Sequence, residues 1–330
     1  MIRIKNSRFF EFLWNDRTAL FGWISILLFA FISVFGKWLV PDNSPGTDRQ
    51  FPELALLPPG ASIHYWVKDS PDKSEEWIAL ADKPTSKGLT FGLMYDSQDS
   101  LILEQGRLIT IQHWLGTDTL GRDVLSRLIA GTRVSFFIGL MAVLISLLVG
   151  IWVGAVAGYY RGITDSLLSW LMNVLWSIPT LLMVLVLTLL MGKGLAAVFL
   201  AVGLTMWVDV ARIVRGQMLG LREKEFAEAG KALGFPHFRI LFRHLLPNTF
   251  TSILVVAASN FASAILVESG LSFLGFGVQP PTPSWGSMIE QHKNYLLTGL
   301  PWLALAPGLC IVWLVLSFTF VGNSLKNMQK

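Results

Sequence analysis

Six stretches of this 330-residue chain run for about twenty residues with almost no charge, at about 18–40, 134–160, 166–192, 194–214, 248–267 and 302–321. A helix rises 1.5 Å per residue, so runs of that length span the ~30 Å hydrocarbon core of a bilayer. The pattern predicts an all-α polytopic membrane protein with six spans. Composition agrees, since 53% of residues are hydrophobic and 15% charged, against about a quarter charged in soluble domains.

The connections set the expected orientation. Residues 1–17 carry Arg3, Lys5, Arg8 and Arg17 against Glu11 and Asp16. No small-residue cleavage site follows the first apolar run, so it is expected to be a retained helix with its N-terminus in the cytoplasm rather than a signal peptide. The segment 41–112 changes to soluble composition. Its patches Ser62–Val67, Leu89–Tyr95 and Leu108–Ile111 suggest a small, partly β extracytoplasmic insertion. From 41 to 133, nine Lys and Arg face thirteen Asp and Glu, whereas 211–247 has seven against three. That asymmetry is the positive-inside bias and returns both termini to the cytoplasm. The basic residues lie in short connections, so the formal charge of +4 is not read as a nucleic-acid surface.

Several features inside the runs have more than one reading. Gly150, Gly154 and Gly158 share one helical face and fit a close helix contact. Pro179 either lines a pathway or merely bends its helix. Asp209 is either a relay carboxylate or an interfacial partner of Arg212 one turn on. Glu268, at the outer end of the fifth run, either touches a solute or is structural. The Gly- and Pro-rich segment 268–300 is expected to be an outer interfacial loop.

Covalent chemistry finds no support. There is no G-x-x-x-x-G-K-[ST] phosphate loop, no H-E-x-x-H and no G-x-S-x-G, and the five histidines are scattered. Cys310 is the single cysteine, so neither a disulfide nor a cysteine-based metal site forms within the chain. No catalytic, cofactor or metal residues are expected, and an energy source must be an ion gradient or another subunit.

The polar stretch Phe226–Asn248, FAEAGKALGFPHFRILFRHLLPN, reads as two short helices. Phe226, Ala229 and Leu233 mark one face of the first, Gly234 its cap, Pro236 the start of the second, and Phe238, Leu241 and Leu245 its apolar face until Pro247. Spacing alone leaves open a surface-lying hairpin without a partner.

This stretch resembles the EAA loop of permease subunits of binding-protein-dependent ABC importers. The matching residues are Glu228, Ala229, Gly230 (Ala in the pattern), Gly234, Ile240, Leu246 and Pro247, with Phe235 beside the glycine. HWLGTDTLGRDVLSRLIAGTRVS (113–135) and ESGLSFLGFGVQPPTPSWGSMIEQ (268–291) are similar to segments of the second permease subunit of dipeptide, oligopeptide and nickel importers. The resemblance covers 113–325 and implies the type I importer permease fold, with 215–247 as the coupling loop. It further implies a homologous permease partner, two ATPase subunits that bind ATP and Mg, a solute-binding protein, and a place in the bacterial cytoplasmic membrane. Peptides are the implied solute and alternating access the mechanism. An ion-coupled secondary transporter using Asp209 and Glu268 stands as the alternative, as does a permease for nickel or another small solute.

Overall fold

A computed structural model of the chain describes residues 16–40, 42, 47–69, 75–80, 106–192 and 194–327. The chain divides into two compact units, residues 36–130 and residues 1–35 with 131–330. Most of the basic N-terminal segment and the patch Leu89–Tyr95 lie outside the described residues.

The smaller unit holds a three-stranded antiparallel sheet of order β2-β1-β3, from β1 (Ala61–Asp69), β2 (Glu75–Leu80) and β3 (Gly106–His113). Alternation places Ile63, Tyr65 and Val67 on one face of β1. Tyr65, Val67 and Leu54 are buried there with Phe51, Trp77 and Ile111 against them. Beneath the sheet the Tyr65 hydroxyl lies 2.8 Å from His113 Nε2, and His113 Nδ1 lies 2.8 Å from Asp123 Oδ1. The carboxylate only accepts, so Nδ1 carries the proton and Nε2 accepts from Tyr65. Asp123 Oδ2 also accepts from the Ser126 amide at 2.7 Å.

The motif 116–127 is explained within this unit. Asp118 accepts from the Leu120 and Arg122 amides and from Arg122 Nε at 2.7 Å, while Arg122 and Arg127 both reach Asp48. Two guanidiniums thus face two carboxylates, the balance that buried ions require. Thr117 donates to the Leu54 carbonyl and accepts from the Leu57 amide.

The helical unit contains α1 (Arg17–Phe35), α2 (Val124–Tyr160), α3 (Gly162–Trp176), α4 (Thr180–Met191), α5 (Leu195–Leu221), α6 (Glu225–Ala232), α7 (Phe250–Phe273), α8 (Trp285–His292) and α9 (Trp302–Asn327). The segments Arg17–Trp38, Val124–Tyr160, Leu195–Leu221, His237–Phe273 and Trp302–Asn327 are long and apolar enough to cross a membrane. The expected single span over 166–192 is instead α3 and α4, bent by 89° at a short break, so the count is five spans, or six if this pair is one. The break has a local cause. Pro179 has no N–H to continue the helix and its ring disfavours helical backbone at Ile178.

Helix α5 runs to Leu221, seven residues beyond the expected boundary. Arg212 and Arg215 mark the end of an apolar run but are good helix formers, so charge does not end the helix. The glycine stripe of α2 lies against α5. A Cβ on Gly150 would sit 2.6 Å from the Trp207 carbonyl oxygen, one on Gly158 2.7 Å from that of Arg215, and one on Gly154 would overlap that of Ala211. Elsewhere Phe261 of α7 stacks on Phe318 of α9 at 3.9 Å, and Trp313 of α9 donates to Ser25 of α1 at 3.0 Å.

Candidate functional site

Two features of the helical unit carry the predicted site residues: a polar hairpin after α5 and a cleft at the α3–α4 break. In the hairpin, Glu225 and Glu228 lie in the first turn of α6 and Lys231 in the last, each sign favourable to the helix dipole. The helix ends in a paired cap. The Phe235 amide bonds the Gly230 carbonyl at 3.1 Å and the Gly234 amide bonds Lys231 at 2.9 Å, with Gly234 at φ +72°. The second segment winds as one α turn (His237–Arg239), a π turn (Ile240–Leu245) and a 3₁₀ turn (Leu246–Thr249). The wide turn sits before Pro247, which cannot donate to the residue four back.

The orientation of this hairpin corrects the expected apolar face of its first helix, while Leu241 and Leu245 of the second are buried as expected and Phe238 is not. Phe226, Leu233 and Phe238 are 46%, 71% and 66% exposed, and Ala229 is exposed as well. The buried side is Ala227, Gly230, Ile240, Leu241 and Leu245, packed with Val214, Met218, Tyr159, Ile253 and Val256. Small residues let α6 lie close to its neighbour, which spacing of large apolar residues does not register. A Cβ on Gly230 would meet Ile240 at 3.6 Å, an ordinary contact, so alanine fits equally well there. The predicted residues therefore divide. Glu228, Ala229, Gly234 and Pro247 face out, Gly230 and Ile240 face in, and Leu246 is half-buried. Phe235 stacks on His244 at 5.9 Å with Arg239 over its ring at 4.2 Å.

Polar struts that spacing did not reveal tie the hairpin to the helices. Tyr159 of α2 bonds His237 at 2.7 Å, and Arg222 donates to the Tyr159 carbonyl. Arg161, before α3, bonds Glu223, before α6, and holds that carboxyl below the usual carboxylate range. Arg215 forms a two-point pair with Asp165 of α3.

The cleft has a volume of about 580 Å³ and is lined by Trp176–Thr180 at the break, Leu204–Met206, Val208 and Asp209 of α5, and Ser263, Leu266 and Val267 of α7. Pro179 and Asp209 thus come together and Glu268 does not join them. Asp209 makes no ion pair with Arg212 of the kind the spacing suggests. Arg212 instead stacks on the Trp176 ring at 4.2 Å and donates to Asn173 at 2.6 Å, so it acts on the Asp209 carboxylate as a nearby charge without a direct bond. Trp176 and Asn173 of α3 hold the guanidinium, a geometry invisible in spacing along one helix.

Glu268 is fully buried rather than interfacial. It accepts from Ser272 at 2.8 Å and from Ser135 of α2 at 3.5 Å. The Trp285 amide donates to the same Ser135 hydroxyl. The carboxyl pins α2, α7 and α8 together and reaches no cavity wall of the cleft.

Comparison with known proteins now decides the family. Residues 150–328 match the family described as binding-protein-dependent transport system inner membrane component. The chain belongs to this family. It is 38% identical over 233 residues to the oligopeptide transport system permease protein OppC of Bacillus subtilis (strain 168), covering 71% of this chain and 76% of that one. It is 42% identical over 226 residues to the dipeptide transport system permease protein DppC of the same organism, covering 68% and 71%. Among solved structures, the MetNI methionine ABC transporter in inward-facing conformations aligns with TM-score 0.52 at 17% identity, over 62% of this chain and 96% of that one. That supports the type I importer permease fold. As an ABC importer permease the chain is a multi-pass inner-membrane protein and not itself a catalyst, and its family works with ATPase and binding-protein partners. The family match contains the hairpin and the cleft and excludes the unit 36–130.

Proposed function

We propose that this permease moves di- or oligopeptides inward by alternating access, with the hairpin 222–249 as the coupling element for an ATPase subunit. The observation that carries the reading is the division of the hairpin into an exposed face, Phe226, Glu228, Ala229, Leu233 and Phe238, and a buried face locked into α2, α5 and α7. An element seated this way moves with the helices as a body, so a push on its exposed face reaches the cleft through α5. The peptide assignment rests on the relatives' names. The partners are a homologous permease, two ATPases that bind ATP and Mg in place of this chain, and a solute-binding protein outside. Both termini and the hairpin lie in the cytoplasm, and the unit 36–130 outside.

The ion-coupled alternative needs Asp209 and Glu268 on one path, yet Glu268 is buried, bonded to Ser272 and Ser135, and absent from the cleft lining. The test is co-purification of the ATPases with variants of the exposed face. Phe226→Asp with Leu233→Asp and Glu228→Lys are expected to abolish co-purification and uptake while leaving the unfolding temperature nearly unchanged. Retained assembly in both would sink the coupling role.

A further inference from the structure

We propose that Asp209 is a subsite of the cleft for a primary ammonium group, the protonated amino terminus of a peptide in transit; this rests on the peptide-permease reading above. Asp209 lies fourteen residues from the start and twelve from the end of α5, which places it near the middle of a membrane-crossing helix. An ionisable side chain at that depth is costly and calls for a partner. A carboxylate offers about four acceptor positions, and this one lies on the cleft wall beside Trp176 with no ion-pair partner among the described residues. Its side chain is exposed, and it is the one charged residue on the cleft wall.

The nearby cation is already committed. Arg212 stacks on Trp176 and hydrogen-bonds Asn173, so its guanidinium is held by those two side chains. An entering ammonium therefore meets unused acceptor capacity without first breaking an ion pair. The hydroxyls of Ser177 and Thr205 donate to the carbonyls of Val174 and Val202, leaving oxygen lone pairs toward the cleft. These too suit a donor rather than an acceptor. A solute carboxylate finds no cation on this wall. The volume of about 580 Å³ falls within the roughly 300–1,000 Å³ range of small-ligand sites.

The experiment uses the assembled transporter with Cys310→Ser and Ser263→Cys, since Cys310 is the chain's only cysteine and Ser263 is exposed on the cleft wall. The rate of alkylation at position 263 by a charged thiol reagent is measured with millimolar alanylalanine or its N-acetyl derivative. Alanylalanine is expected to slow alkylation at least threefold and the acetylated peptide not to. Asp209→Asn should remove this protection and Asp209→Glu retain it, each judged against the same variant's own unprotected rate. Equal protection by the two peptides, protection by neither, or protection that survives Asp209→Asn would overturn the subsite. So would loss of the unprotected rate in both variants, which marks a structural role. ATPase co-purification and peptide uptake by the parent complex test the permease reading separately, so that its failure is distinguishable from failure of the subsite.

Discussion

The hydroxyl of Tyr159, next to last in α2, lies 2.7 Å from Nδ1 of His237, the first residue of the hairpin's second segment. The contact joins a membrane-crossing helix to the hairpin at a point where Arg222 also grips the Tyr159 carbonyl and lies over its ring. Hydrogen bonds of this kind contribute about 1 kcal/mol net. Tyr159→Phe keeps the ring and removes the bond. The expected result is an unfolding temperature lower by a few degrees, with ATP hydrolysis by the assembled transporter retained and peptide moved per ATP reduced severalfold. Measuring uptake and hydrolysis on the same proteoliposomes checks it, and an unchanged ratio would limit the bond to a structural role.

The α2–α5 crossing predicts a steep dependence on side-chain size. Gly154 has no room for a Cβ against Ala211, so Gly154→Leu drives the helices apart along the whole stripe. Overpacking of this sort typically costs about 1–3 kcal/mol and sometimes more. Folded yield and thermal unfolding in detergent should both fall sharply. Gly220→Ala on α5 is the control, because nothing lies within 4 Å of its added Cβ.

The two glycines of the hairpin should respond in opposite directions. At Gly230 the added methyl of alanine makes ordinary contacts with Ile240 and Phe235 inside a helix. Gly→Ala at such a site stabilises by about 0.4–1 kcal/mol, chiefly by restricting the unfolded chain. Gly234 has open space around it but φ +72°, a conformation that costs a branched residue about 1–3 kcal/mol. Gly230→Ala should leave ATPase binding intact with a slightly higher unfolding temperature. Gly234→Val should lower both, and equal behaviour of the two variants would contradict the cap.

These positions show what was legible in the sequence. The apolar runs, the glycine stripe and the Gly234 turn were readable because each follows from backbone geometry over a few neighbouring residues. The face of α6 was not. Its inward side is Ala227 and Gly230, and a pattern search for large apolar residues selects Phe226 and Leu233, which face out. The spacing of Asp209 and Arg212 suggests a pair, yet Trp176 and Asn173 from another helix take the guanidinium. The burial of Glu268 is not legible because Ser135, which bonds it and the Trp285 amide, is distant in sequence. Strand β2 escaped notice because Glu75–Leu80 opens with two glutamates and is too short to show alternation.

The buried Tyr65 predicts an alkaline weakness in the unit 36–130. Burial first, and then the charges of Asp123 and Asp42, push its phenol well above the usual tyrosine range. Its hydroxyl is also committed to His113. In the unfolded chain the same phenol titrates near 10. Above that pH the unfolded state has lost a proton that the folded state keeps, so the unfolded state binds fewer protons and stability falls as pH rises. The loss begins near pH 10 and continues toward the raised folded value, at no more than about 1.4 kcal/mol per pH unit from this one group. Tyrosinate absorbance of the native protein should therefore lack at least one of the chain's five tyrosines, Tyr65 among them, until unfolding releases it. Tyr65→Phe should be less stable at neutral pH, because His113 loses its buried partner at a cost of about 1–3 kcal/mol. It should also show a shallower decline in unfolding temperature above pH 10. An equally steep decline in the variant would assign the alkaline sensitivity to another group.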